Sequence, residues 1–255
     1  MANRTRGRAL GAALLALVVA ACKTTPAVPS VPDFEQRYGE LAGQLAESTF
    51  ADQSTSATQA KLAQLASDAT AAARKELDPS QAAMLWRLAA LSAWQGGAAG
   101  NAQLEGIVAG GTAACQRVAP PDFGAPGDCL TIYMTPIRAD YDRTNAGVQA
   151  LQARPKPLPS AAGAQIAAWF AGLESDFQKA DALGQRFSSS QIDPAQLGAV
   201  GSDMKKIACL ARADMELLAQ VQGNGAGAVA PFAPRLETLR SRLNPELRDA
   251  PCPTR

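Results

Sequence analysis

Between Ser160 and Phe187 the apolar residues Ile166, Phe170, Leu173, Phe177 and Ala180 recur at steps of four, three, four and three. That spacing gathers all five on one face of an α-helix and on neither face of a strand, whose side chains alternate with period two. The same rule repeats along the chain. Phe34, Tyr38, Leu41 and Leu45 form a stripe behind Asp33, which with Gln36 three residues on has the pattern of a capping box. Leu62, Leu65, Ala69, Ala72 and Ala73 mark a helix from about Thr58 to Leu77. Asp78-Pro79 and Asp193-Pro194 each open another, because aspartate caps a helix and proline suits its first position. Met84, Leu88 and Leu91, widened by Trp86 and Trp94, form the apolar face of the helix that Gly96-Gly97 ends.

A segment from Asn101 to Val118 is helical in pattern but carries Gly106, Gly110 and Gly111, which either admit a close neighbour or break it. Asp128 opens a helix with Leu130, Met134, Ile137 and Tyr141 on one face, and Pro136 is placed to kink or split it. Ile207, Leu210, Ala213, Leu217 and Val221 mark a long helix, and a short last one runs from about Pro234 to Leu243. No alternating strand pattern competes with these segments. The expected fold is all-α, a bundle or stacked helical hairpins of about seven to eight helices. RPKPLPS is the strongest internal boundary, so residues 34–153 are expected as an N-terminal helical half, 154–160 as a linker and 161–255 as a C-terminal half.

The N-terminus obeys other rules. Arg4, Arg6 and Arg8 precede an apolar run from Ala9 to Ala21 that is too short to span a bilayer. Charge, short apolar run and small residues in that order read as a secretory signal peptide. Its last four residues, Val19-Ala20-Ala21-Cys22, resemble the lipobox of bacterial lipoproteins. The resemblance implies cleavage between Ala21 and Cys22, a diacylglyceryl thioether on Cys22 and a further acyl chain, such as palmitate, on the new amino group. Two or more chains hold a folded domain on a membrane where one would not. Lys23, where aspartate would imply inner-membrane retention, implies the outer membrane, with the domain facing the periplasm. Residues 1–21 are then the signal and 22–33 a lipidated tether, in which Pro26, Pro29 and Pro32 suit an extended spacer or a disordered linker.

Four further cysteines, Cys115, Cys129, Cys209 and Cys252, suggest disulfides in an exported chain, and three pairings are open. Cys115–Cys129 with Cys209–Cys252 is preferred, since the first closes a turn-rich loop and the second pins the tail. Metal binding is disfavoured by the wide spacing and by the lack of any histidine. That lack also removes Ser-His and Cys-His nucleophile systems. Without its three signal arginines the chain keeps 21 basic residues against 23 acidic ones, a formal net charge of −2. It has no basic stripe with interleaved aromatics, so nucleic acid is not an expected partner.

Three segments carry weaker signals. Trp86, Ala90, Gly97, Ala102 and Ala109 faintly resemble one tetratricopeptide unit, although Ala93 and Gly106 depart from it and no second unit follows. FAGLESDF resembles the segment around the catalytic glutamate of lytic transglycosylases, which would make Glu174 a general acid; Asp176, two residues on, points elsewhere on a helix. RADYDR, Arg138 to Arg143, alternates charge around Tyr141 and reads as an exposed face with local ion pairs, or as a peptide- or sugar-binding face. The expected function is a lipid-anchored periplasmic binding protein, a scaffold or accessory of an envelope assembly. It would have a membrane contact through Cys22, a protein partner, no cofactor, no metal and no catalytic site. The alternatives are an immunity-type inhibitor lipoprotein and a peptidoglycan-acting enzyme using Glu174.

Overall fold

Ser30 caps the first helix, three residues earlier than the sequence pattern implied. Its backbone N–H and its hydroxyl both donate to the Asp33 carboxylate at 2.7 Å, and Pro32 fits the first turn because no N–H is needed there. Asp33 is therefore not the cap but the acidic partner three positions into the helix, and the Ser30 hydrogen bonds hold its carboxyl below the usual range. The computed structural model describes residues 29–98, 102–118, 125–190, 192–223 and 226–252. The signal segment, Ala21, Cys22 and most of the proline tether lie outside them.

Ten α-helices occupy the described residues, eight of them seven residues or longer. They are α1 (Val31–Phe50), α2 (Ser56–Ala73), α3 (Pro79–Ala93), α4 (Ala102–Cys115), α5 (Ala125–Gln152), α6 (Ala162–Phe187), α7 (Pro194–Leu218), α8 (Ala226–Val229), α9 (Ala233–Ser241) and α10 (Pro245–Asp249). The fold is all-α, and no strand is present among the described residues. Asp78 accepts from the N–H groups of Ser80 and Gln81, and Asp193 from that of Ala195, so both Asp-Pro caps form. The short α10 has the same origin, for Asn244 accepts from the Leu247 N–H ahead of Pro245.

Two clusters of buried side chains make up the interior. One lies among α1, α2, α3 and α4 and includes Phe34, Leu65, Leu85, Trp86, Leu88 and Ile107. The other lies among α5, α6 and α7 and includes Met134, Ile166, Phe170, Leu173, Phe177, Ile207 and Leu217. α5 serves both, sending Ile132 and Ala139 into the first and Leu130, Met134, Ile137, Val148 and Leu151 into the second.

This double burial explains why Pro136 does not split the segment into two helices. A proline within a helix costs about 3 kcal/mol, but α5 packs against α3, α4, α6 and α7 and continues for 28 residues. Nor do the glycines break α4. A Cβ at Gly110 would collide with the Trp86 ring, and one at Gly111 would lie 2.9 Å from Ile132 Cγ2, so both admit a close neighbour.

The cysteines pair as Cys115–Cys129 and Cys209–Cys252, with Cα–Cα distances of 5.8 and 5.7 Å. The first joins the end of α4 to the first turn of α5; a loop of this length contributes about 3 kcal/mol in the chain-entropy view. The second ties the tail to α7. Between α5 and α6, Leu158 is fully buried. Its N–H donates to Gln220 O and its carbonyl accepts from the Gln222 N–H, both at 2.8 Å. The 154–160 segment is thus fastened beside the end of α7, and Val221, expected within that helix, instead pairs with Leu158 just beyond it.

Candidate functional site

A cleft of about 310 Å³ opens where the end of α3 meets the middles of α5 and α7. Helical periodicity builds two of its walls. Ile137, Arg138, Tyr141 and Asp142 share a face of α5, and Ala199, Ser202, Asp203, Lys206 and Ile207 share a face of α7. Trp94 supplies the third wall from one wide π turn, Trp94–Ala98, that ends α3. Two glycines permit that turn. A Cβ at Gly96 would sit 2.9 Å from the Ala63 nitrogen of α2, and Gly97 takes φ 83°, a left-handed conformation natural to glycine.

The charges of the cleft are joined both between elements and within α7. Arg138 Nε meets Asp203 Oδ2 at 2.8 Å, Lys206 Nζ meets Asp203 Oδ1 at 3.1 Å, and Trp94 Nε1–H donates to Asp142 Oδ2 at 2.8 Å. The Arg138 guanidinium also lies 6.0 Å from the Trp94 ring centroid, within cation–π range. Side chains of Arg138 and Asp203 are only 22% and 12% exposed, so losing either would leave the other charge poorly solvated. Burial pushes the Asp142 carboxyl above its ordinary value. The neighbouring Asp203 charge adds to that, while the Trp94 hydrogen bond and Lys206 oppose it.

The local-pair reading of RADYDR therefore needs dividing. Arg143 and Asp140 do form a local pair at exposed positions. Arg138 and Asp142 instead reach α7 and the end of α3. In the sequence Trp94 stands only as part of an apolar helix face, and Asp203 and Lys206 were not singled out. Asp203 could have been, since it falls between Val200, Met204 and Ile207 on the apolar side of α7 and is 9% exposed.

Glu174 is engaged elsewhere. Arg235 of α9 donates to both of its carboxylate oxygens, at 3.3 and 2.5 Å. The same guanidinium stacks over the rings of Phe170 and Phe232, at 5.0 and 5.3 Å. This arrangement clamps α9 onto α6. Asp176 turns away from Glu174, as its position two residues on implied, and pairs with Lys179 at 2.9 Å. Burial raises its carboxyl above the ordinary value against the opposing pull of that lysine.

Among the described residues, no group of three or more cysteine, aspartate or glutamate side chains is arranged to hold a metal ion. Nor is any described helix long and apolar enough to cross a membrane. What the cleft offers is two aromatic faces and two cations beside two carboxylates, held by the Arg138–Asp203 and Trp94–Asp142 contacts between elements and the Lys206–Asp203 pair within α7. No protein-family model matches the chain, and neither a curated protein nor a solved structure does. The chemistry of the cleft and of the N-terminal sequence must carry the functional reading.

Proposed function

We propose that this chain is a lipid-anchored binding protein of the periplasm, a scaffold or accessory of an envelope assembly that recognises a protein partner through the Trp94–Tyr141 cleft. The anchoring half of the proposal rests on the resemblance of Val19–Cys22 to a lipobox, which implies outer-membrane attachment through acyl chains on Cys22. The recognition half rests on the cleft itself. Aromatic and arginine side chains dominate binding energy at protein interfaces, and here Trp94, Tyr141 and Arg138 line one depression. Two cations and two anions, fixed by the Arg138–Asp203 pair between helices, the Lys206–Asp203 pair within α7 and the Trp94–Asp142 hydrogen bond, give a partner a charge pattern to match rather than a single strong field. The doubly bonded Glu174 favours a clamping role for that residue over acid catalysis.

The test uses a photo-crosslinking residue placed at Ser202 in the cleft or at Gln178 on the exposed side of α6, in cells, with and without Cys22→Ser. The expected outcome is one reproducible envelope protein joined at Ser202 and not at Gln178. Cys22→Ser should accumulate as an unprocessed precursor. An equal pattern from both probe positions contradicts recognition by the cleft, and normal processing of Cys22→Ser contradicts the anchor.

A further inference from the structure

The tail encloses a second depression with a different charge character. After α10 the chain returns to α7, where the Cys209–Cys252 disulfide fixes it. Between tail, α9 and α7 lies a pocket of about 380 Å³ whose lining includes Lys205, Arg212, Arg240 and Arg248 but a single carboxylate, Asp249. The cleft described above balances two cations with two anions; this pocket does not.

Its cations are also held differently. In the cleft, Arg138 is fixed by a carboxylate on another helix. Around the tail, each arginine leans on a neighbour in sequence: Arg212 on Glu216, Arg240 on Glu237 at 3.5 Å, and Arg248 on Asp249. The first two pairs are largely exposed, with side-chain exposures of 65% and 57%, and of 47% and 67%. Exposed local pairs of this kind contribute little energy, so a stronger anion can draw the guanidinium groups away at small cost. Lys205 is already oriented. Its ammonium donates to Ala250 O at 2.7 Å and to Arg248 O at 3.3 Å, two of the three hydrogens that it carries.

The charge count selects the ligand. One bidentate guanidinium satisfies a carboxylate, and four cations exceed that need. A phosphate monoester carries nearly two negative charges and three terminal acceptor oxygens, which suits several guanidinium groups converging with an ammonium. We propose that this pocket binds a phosphate monoester, with Arg212 and Arg240 turning from their glutamates onto its terminal oxygens beside Lys205. The group could arrive on a small soluble molecule or on a lipid headgroup. The disulfide makes the site possible by holding the tail as its wall. The inference is independent of the cleft and of the lipid anchor.

The full chain in neutral detergent, labelled for amide NMR, tests the proposal by titration with inorganic phosphate, with glycerol phosphate and with the diester glycerophosphoglycerol. Saturable shifts centred on Lys205, Arg212, Arg240 and Arg248 are expected with the first two. The diester, with one charge and two terminal oxygens, should fail to match them, and an equal response to it would overturn the choice of a monoester. Tighter binding of phosphatidic acid in the detergent than of glycerol phosphate assigns the source to a lipid headgroup, and equal or weaker binding assigns it to a soluble molecule.

Arg212→Gln with Arg240→Gln should weaken binding about tenfold or more, as expected for losing two charge-assisted contacts. Glu216→Gln with Glu237→Gln should tighten it by releasing the guanidinium groups. Arg74→Gln with Lys75→Gln, exposed and remote in the sequence, should leave it unchanged. Non-saturable shifts with every probe would overturn the proposal. So would an equal loss in the Arg74 and Lys75 variant, which would reduce the effect to general charge.

Discussion

The two cores are built from different materials. Of the seventeen buried residues in the α1–α4 cluster nine are alanine, whereas the α5–α7 cluster has six alanines among twenty-seven and three phenylalanines. Small side chains let helix backbones approach closely but supply little apolar area each. Large ones fill space between more widely separated axes, and their removal leaves a cavity. The first core is therefore sensitive to added volume and the second to lost volume. α5 must satisfy both, and the cleft opens where its exposed edge passes between them.

This contrast is broken or sharpened by a graded set of substitutions. Phe177 is fully buried in the second core, and Phe177→Ala should cost about 3–5 kcal/mol, read as a fall in the urea midpoint. A much smaller loss would mean that the second core is looser than its packing indicates. Ala89 is equally buried in the first core. Ala89→Leu adds volume to an alanine-packed seam and should cost about 1–3 kcal/mol, although the same change on an exposed helix face is close to neutral. Stabilisation by Ala89→Leu would contradict the close-packing account.

A smaller effect is carried by pH. Burial raises the Asp176 carboxyl above its ordinary value of 3.8, so between that value and the raised one the folded protein binds a proton that the unfolded chain does not. Asp176 thus favours the fold at the acid end of this window and loses that contribution as pH rises through its folded pKa. Asp176→Asn should remove that dependence: stability of the wild type relative to the variant should fall with rising pH and then level off. A difference that rises with pH would give the opposite sign and refute the burial argument.

How much of this could be read beforehand depended on whether a feature is local. The α6 stripe and the Asp78-Pro79 and Asp193-Pro194 caps follow from spacing, and the structure contains them; it also contains the preferred one of the three cysteine pairings that the sequence left open. Pro136 does not split α5, because proline's cost is local while the packing that keeps the helix continuous comes from four other helices. In α1, the stripe read from Phe34 to Leu45 buries only Phe34 fully, because its later turns overhang the cluster and end at the exposed Phe50. The cleft was harder still. Arg138 and Asp142 are adjacent on one helix, yet their partners stand 65 residues ahead and 48 behind. Charge alternation within RADYDR satisfies a local reading so well that it hides the long-range one.

The central claim, that the cleft between the cores is where this protein recognises its partner, is tested most directly by filling it. Ser202 lines the cleft and is partly exposed, so Ser202→Trp blocks the space without opening a cavity. The measurement is recovery of the crosslinked or co-purified partner, with the thermal midpoint read on the same sample. The account predicts a midpoint close to that of the wild type and loss of the partner. Undiminished recovery with the cleft filled would contradict it.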